Sequence, residues 1–213
     1  MVDKNAPTLK EKAYIYIKNK IVTCELMPGS VVDQNHLMEE IGVSKTPVRE
    51  AVNALESEGL LIIMPRRGVI VAPISVGDVA QIYTVREVVE PFVARLATQS
   101  AERVRLEKLH KLFTKEKLEP EVIIQNDFLM HLYFVESTGN QYLIRLMNNV
   151  LSQNMRIVVL GARVENRLKV SNSEHARIIE RMLDNDADGA EHAMRAHIAS
   201  AKMIASMVNK IEL

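Results

Sequence analysis

Apolar positions along this chain recur with a helical period almost everywhere, and one short stretch breaks the pattern. The periodicity predicts helices over residues 9–23, 34–41 and 45–58, then two short strands near 61–64 and 69–72. In "VAPISVGD", residues 71–78, Pro73 ends the strand-like run and Ser75 can cap the next helix. From there six more helices are predicted, over 76–99, 101–116, 120–137, 140–163, 172–184 and 187–209, punctuated by Gly139, Gly161 and "DNDADG". The seam predicts two domains, 1–73 and 74–213. The fold class expected is mainly α: a winged helix-turn-helix followed by an all-helical antiparallel bundle.

Composition narrows this little. Nearly half of the 213 residues are apolar and a quarter are charged, which excludes a disordered chain. The opening "MVDKNAPTLKEK" has no apolar run of the signal-peptide kind, and no stretch approaches the roughly 20 apolar residues of a membrane span. A cytoplasmic protein is expected, and the single Cys24, read as a small buried hydrophobe, agrees with a reducing compartment. Lys plus Arg balances Asp plus Glu, so any nucleic-acid function must rest on local placement of charge.

Such placement occurs in the first domain. Leu37 and Ile41 end one helix, Gly42 permits a tight turn, Ser44 is placed to cap the next helix, and Pro47 falls in its first turn, where its missing N–H is harmless. On that second helix Val48, Val52 and Leu55 share one face, while Lys45, Arg49 and Asn53 recur every four residues on another, with Thr46 beside them. Long donors there can reach phosphates and base edges of a major groove, and Arg49 is the candidate base reader. The hairpin tip "PRRG", Pro65 to Gly68, puts Arg66, Arg67 and Gly68 where a wing could track phosphates or enter a minor groove.

The run "GVSKTPVREAVNALESEGLLIIMPRRGVIV" resembles the winged helix of the GntR family of bacterial transcription regulators, whose usual form is close to GVSRTPVREAL, an EGL segment and an RRG wing. Lys45 stands where the family usually has Arg, keeping charge but losing the bidentate fork, and Asn35 stands where many members carry another Arg.

The second domain carries a different constellation. Asp127 and His131 share a helical stripe with Ile123, Ile124, Phe134 and Val135; His175 lies with Ile178, Ile179 and Met182; His197 lies with Ala190, Ala193, Met194, Ala201 and Ile204. His192, by contrast, falls among Asp188, Glu191, Arg195 and Lys202 and is expected on the surface. Any one inward histidine is an ordinary core residue with a private hydrogen bond. Four such groups together would be satisfied by one divalent cation, and facing helices are where bundles build metal sites.

The pieces "DFLMHLYFVESTGN", "SEHARIIERM" and "DADGAEHAMRAHI" resemble the FCD domain of FadR-type GntR regulators, in the shorter, VanR-like branch with six C-terminal helices. The resemblance implies metal ligands at Asp127, His131, His175 and His197, with zinc, nickel or manganese as the cofactor. Arg86, inward and four residues before Glu90, reads either as a buried pair or as a carboxylate anchor, the latter supported by the resemblance. Asn149, Gln153 and Arg156 read either as pocket lining or as a solvated face.

The function expected is therefore a sequence-specific DNA-binding regulator rather than an enzyme. It would be a homodimeric repressor on a short palindrome, released by a small organic acid that binds beside the metal. Two alternatives stay open: a regulator whose metal is structural or itself the signal, and a metal-dependent hydrolase. The hydrolase lacks a separate general base, because Glu174 is expected on the polar side of its helix.

Overall fold

The computed structural model describes residues 7–115, 118–161 and 167–208 and divides into two compact units, Met1–Ile74 and Ser75–Leu213.

In the first unit α1 (Leu9–Val22) opens on a capping box between Thr8 and Glu11. α2 (Gln34–Ile41) is capped by Asp33, whose carboxylate accepts from the N–H groups of Asn35 and His36. Gly42 then takes φ 71°, a turn that a side chain would strain. α3 (Lys45–Ser57) comes next with Ser44 at the N-cap position, but no side-chain capping bond forms there, contrary to the expectation from sequence. Strands β1 (Leu61–Met64) and β2 (Gly68–Val71) pair antiparallel with Leu61 opposite Val71 and Met64 opposite Gly68, so β2 starts one residue earlier than predicted. A bridge from Val31 to Ile70 adds a third backbone segment to this hairpin. Ile17, Ile21, Leu37, Val48, Val52, Leu55 and Val69 form the common core, and Cys24 is buried as expected.

The second unit contains α4 (Val76–Ser100), α5 (Arg103–Phe113), α6 (Pro120–Ser137), α7 (Gln141–Gly161), α8 (Arg167–Leu183) and α9 (Ala187–Val208). Residues 116, 162–163 and 209, included in predicted helices, lie outside the described residues. α8, Arg167–Leu183, extends five residues ahead of the predicted start at 172 and so takes in Ser171. α4 packs along α9, α8 lies against α9 and α5, and α6 sits against α4 and α7. These neighbours turn the predicted apolar stripes into one core that includes Tyr83, Met130, Phe134, Leu151, Ile179 and Met194.

α4 starts on a reciprocal cap: Ser75 Oγ accepts from Asp78 N–H at 3.1 Å, and the Asp78 carboxylate accepts from Ser75 N–H at 2.8 Å. Ser75→Ala is expected to cost about 1 kcal/mol, read as a lower midpoint in chemical denaturation of the full chain; an unchanged midpoint would deny the cap a role in stability. Among the described residues no helix is long and apolar enough to cross a membrane.

Candidate functional site

Two sites emerge, one in each unit. In the first, the same helix that buries Val48, Ala51, Val52 and Leu55 exposes Lys45, Thr46, Arg49 and Asn53. The hairpin tip is equally open. Arg66 takes φ 64° and Gly68 φ 102°, and Arg66, Arg67 and Gly68 are all exposed. Cations elsewhere in this unit are used internally: Lys18 pairs with Glu58 at 2.7 Å and Lys20 with Glu40 at 3.1 Å. Lys45, Arg49, Arg66 and Arg67 form no ion pair among the described residues. Unneutralised cations on an open recognition helix and an open hairpin tip are what a polyanion requires. A groove between α2 and α3, lined by Gln34, Asn35, Met38 and Lys45, extends this face; Gln34 was not singled out from sequence, since an isolated Gln carries no pattern.

In the second unit Asp127 and His131 on α6, His175 on α8 and His197 on α9 meet in the core. One ligand atom from each lies within 4.8 Å of the others. The histidines are 0–2 % exposed and Asp127 is 8 % exposed. His175 Nε2 lies 3.1 Å from Asp127 Oδ1 and 3.3 Å from His197 Nε2. Metal–nitrogen bonds of about 2.0–2.1 Å place neighbouring tetrahedral ligand atoms roughly 3.3–3.4 Å apart, so these separations suit a cation between them. His131 Nε2 is buried with no hydrogen-bond partner among the described residues, an expensive arrangement unless a ligand meets it. His192 is exposed, as its wheel position predicts.

The electrostatics set the protonation of two of the four groups, His197 and Asp127. Burial first, and then the neighbouring His175 and His131, hold His197 well below its usual range, which leaves the imidazole uncharged. Burial alone would raise the Asp127 carboxyl, but its hydrogen bond to His175 and the surrounding histidines outweigh this and hold it well below the usual carboxylate range. An anionic Asp127 oxygen and a neutral His197 imidazole are protonation states that suit metal ligation.

Two carboxylates join this cluster that sequence alone did not place there. Glu90 on α4 bonds Arg86 Nε at 2.5 Å and also contacts His131 Nδ1. Burial would raise its carboxyl, but Arg86 and His131 bring it down to about 2. Glu174 corrects an expectation: far from lying only on the polar side of α8, it reaches across to His197 Nδ1 at 2.8 Å. Its side chain is 24 % exposed, so it forms the rim of the cluster.

The residues expected to meet an organic acid are less uniform. Arg86 is 2 % exposed and paired with Glu90. On α7, Asn149 and Gln153 are half-buried, and Arg156, buried, donates to Gln153 at 2.8 Å. This face is not simply solvated.

The chain matches the family model for bacterial regulatory proteins of the gntR family over residues 9–71 and the FCD domain over residues 81–200. The gluconate operon transcriptional repressor of Bacillus licheniformis is 30% identical over 175 residues, covering 79% of this chain and 69% of the relative. The HTH-type transcriptional repressor RspR of Escherichia coli is 26% identical over 199 residues, covering 89% and 86%. The solved structure of E. coli McbR/YncC superposes with a TM-score of 0.83 at 20% identity, covering 95% of this chain and 99% of that one. The matched domains and relatives are regulators, not enzymes, which removes the hydrolase alternative. An exposed helix-turn-helix with its wing, joined to an all-helical FCD domain, places this chain in the GntR family of DNA-binding transcription regulators, in the FadR-like arrangement.

Proposed function

We propose that this regulator is a homodimeric repressor of a short palindromic operator whose FCD domain binds a divalent metal and a small organic acid. The observation that carries the metal is the buried meeting of Asp127, His131, His175 and His197, with their ligand atoms within 4.8 Å. FCD domains are known for metal binding. Zinc, nickel and manganese all accept such a donor set. When bound, the ion would supply a Lewis-acidic position that an acid's carboxylate oxygen can occupy.

The protein's own residues would then select the acid. Arg156, Gln153 and Asn149 offer donors from α7, and Arg86 could contribute only what Glu90 leaves of its guanidinium. A relative named for a gluconate operon supports a hydroxy acid as the class. Control is possible if the acid binds the DNA-competent and DNA-incompetent arrangements of the dimer unequally. Repression is supported by the two relatives named repressors, and a palindrome by the two-fold symmetry that a homodimer presents to DNA. A DNA partner and the lack of any spanning helix among the described residues support a cytoplasmic protein.

A thermal-shift screen of metal-loaded and metal-free protein against small carboxylates tests the effector. One acid raising the melting temperature only in the loaded protein is the expected result; a metal that stabilises while no acid adds to it would favour the structural or metal-sensing alternative.

On the DNA side, Lys45, Thr46, Arg49, Asn53, Arg66, Arg67 and Gly68 are proposed as the contact set. Arg66→Ala should weaken binding to all duplexes alike and lower the slope of log affinity against log salt by about 1. A loss confined to one base position would show Arg66 to be a base reader instead.

A further inference from the structure

We infer that Glu90 and Glu174 are positioning residues of the metal site, each accepting the Nδ1–H of one histidine and thereby turning that ring's Nε2 lone pair toward the cluster. The inference rests on the metal reading above and extends it to two residues outside the ligand set.

A neutral imidazole carries one N–H and one lone pair, and an ionised carboxylate can only accept. A carboxylate facing Nδ1 therefore fixes the proton there and leaves Nε2 free to bind. Both contacts set a carboxylate oxygen against Nδ1. The Glu90 carboxylate stands against Nδ1 of His131 as an ion pair, and neither buried ring nitrogen of His131 has a hydrogen bond among the described residues. Glu174 bonds Nδ1 of His197, whose Nε2 faces His175 Nε2 at 3.3 Å. His175 is oriented by different means: its ring packs edge-on against Phe113, 4.8 Å between centroids, and its Nε2 lies beside Asp127.

Charge supports the same assignment. Asp127, Glu90 and Glu174 bring three negative charges to the cluster, and Arg86 returns one positive charge through Glu90. Arg86 is thus the ion-pair partner of the buried carboxylate that meets His131. The two positioning residues also differ in access. Glu90 is 2 % exposed, whereas Glu174 lines an open groove between α8 and α9 with Arg177, Arg181 and His192.

The test uses the full chain with cobalt(II) as probe, its affinity measured by chelator competition and its visible spectrum recorded. In parallel, ring-nitrogen NMR of the metal-free chain reads the histidine tautomers. Glu174→Ala should weaken cobalt binding by roughly 10–100-fold and release His197 from the Nδ1–H form, at a near-parental melting temperature. Glu174→Gln, which keeps an accepting oxygen, should recover much of the affinity. Glu90→Gln should shift His131 in the same way; should that buried variant fail to fold, the Glu174 pair decides. Cobalt affinity within twofold of the parent in Glu174→Ala, with His197 still in the Nδ1–H form, would overturn the proposal while leaving the metal site intact. A parent that takes up no cobalt would overturn the metal reading itself, and the proposal with it.

Discussion

Arg49→Ala is expected to cost roughly 1–3 kcal/mol of operator binding, about a 5- to 150-fold loss, and to relax specificity at one base position. Arg49 lies one turn from both Lys45 and Asn53 on the exposed face of α3, and forms no ion pair among the described residues. Its guanidinium is thus free to grip the two acceptors of a guanine, and its removal leaves the core of Val48, Val52 and Leu55 untouched. A loss of affinity would then report contact and not misfolding. Arg49→Lys should restore phosphate attraction but not base preference, because the planar fork is lost. The measurement is binding at fixed salt to a duplex selected by the parent protein and to its single-base variants. Equal affinity and equal preference in Arg49→Ala would remove Arg49 as the base reader.

The second large effect is thermal. A ligand that binds only the folded chain stabilises it by mass action, by about 4 kcal/mol when present at a thousandfold excess over its dissociation constant. For a chain of this size that corresponds to a melting-temperature rise on the order of 10 °C. Metal-free parent should show such a rise on adding zinc, nickel or manganese. His175→Ala should lose it, because His175 Nε2 lies 3.1 Å from Asp127 and 3.3 Å from His197 within the cluster. The comparison is between loaded and metal-free forms of each protein, so any cost of emptying a fully buried position cancels. A parental rise in His175→Ala would place the ion elsewhere.

Much of this was legible in sequence because it depends on local period. The helix boundaries around residues 34–57 and the exposure of Lys45, Arg49 and Asn53 are set by side chains on a single helix. So is the inward direction of Asp127, His131, His175 and His197, each fixed by the apolar stripe around it. What sequence hid is the contact between elements. Glu174 points about a quarter-turn away from His175 on its own helix, so a wheel assigns it to solvent; only α9 packed beside α8 brings His197 within its reach. Glu90 could be paired with Arg86 by its spacing, but its second partner, His131, comes from α6. The bridge of Val31 to the hairpin is hidden for the same reason, since one extended residue has no period to detect.

Effector control through the FCD domain depends on whether Asp127, His131, His175 and His197 hold an ion. The most direct measurement is elemental analysis of the full chain after incubation with equimolar zinc, nickel and manganese and removal of unbound metal. One ion per chain in the parent is the predicted result. No retained metal would contradict it, and would make the three histidines core residues, with only the DNA-binding role left standing.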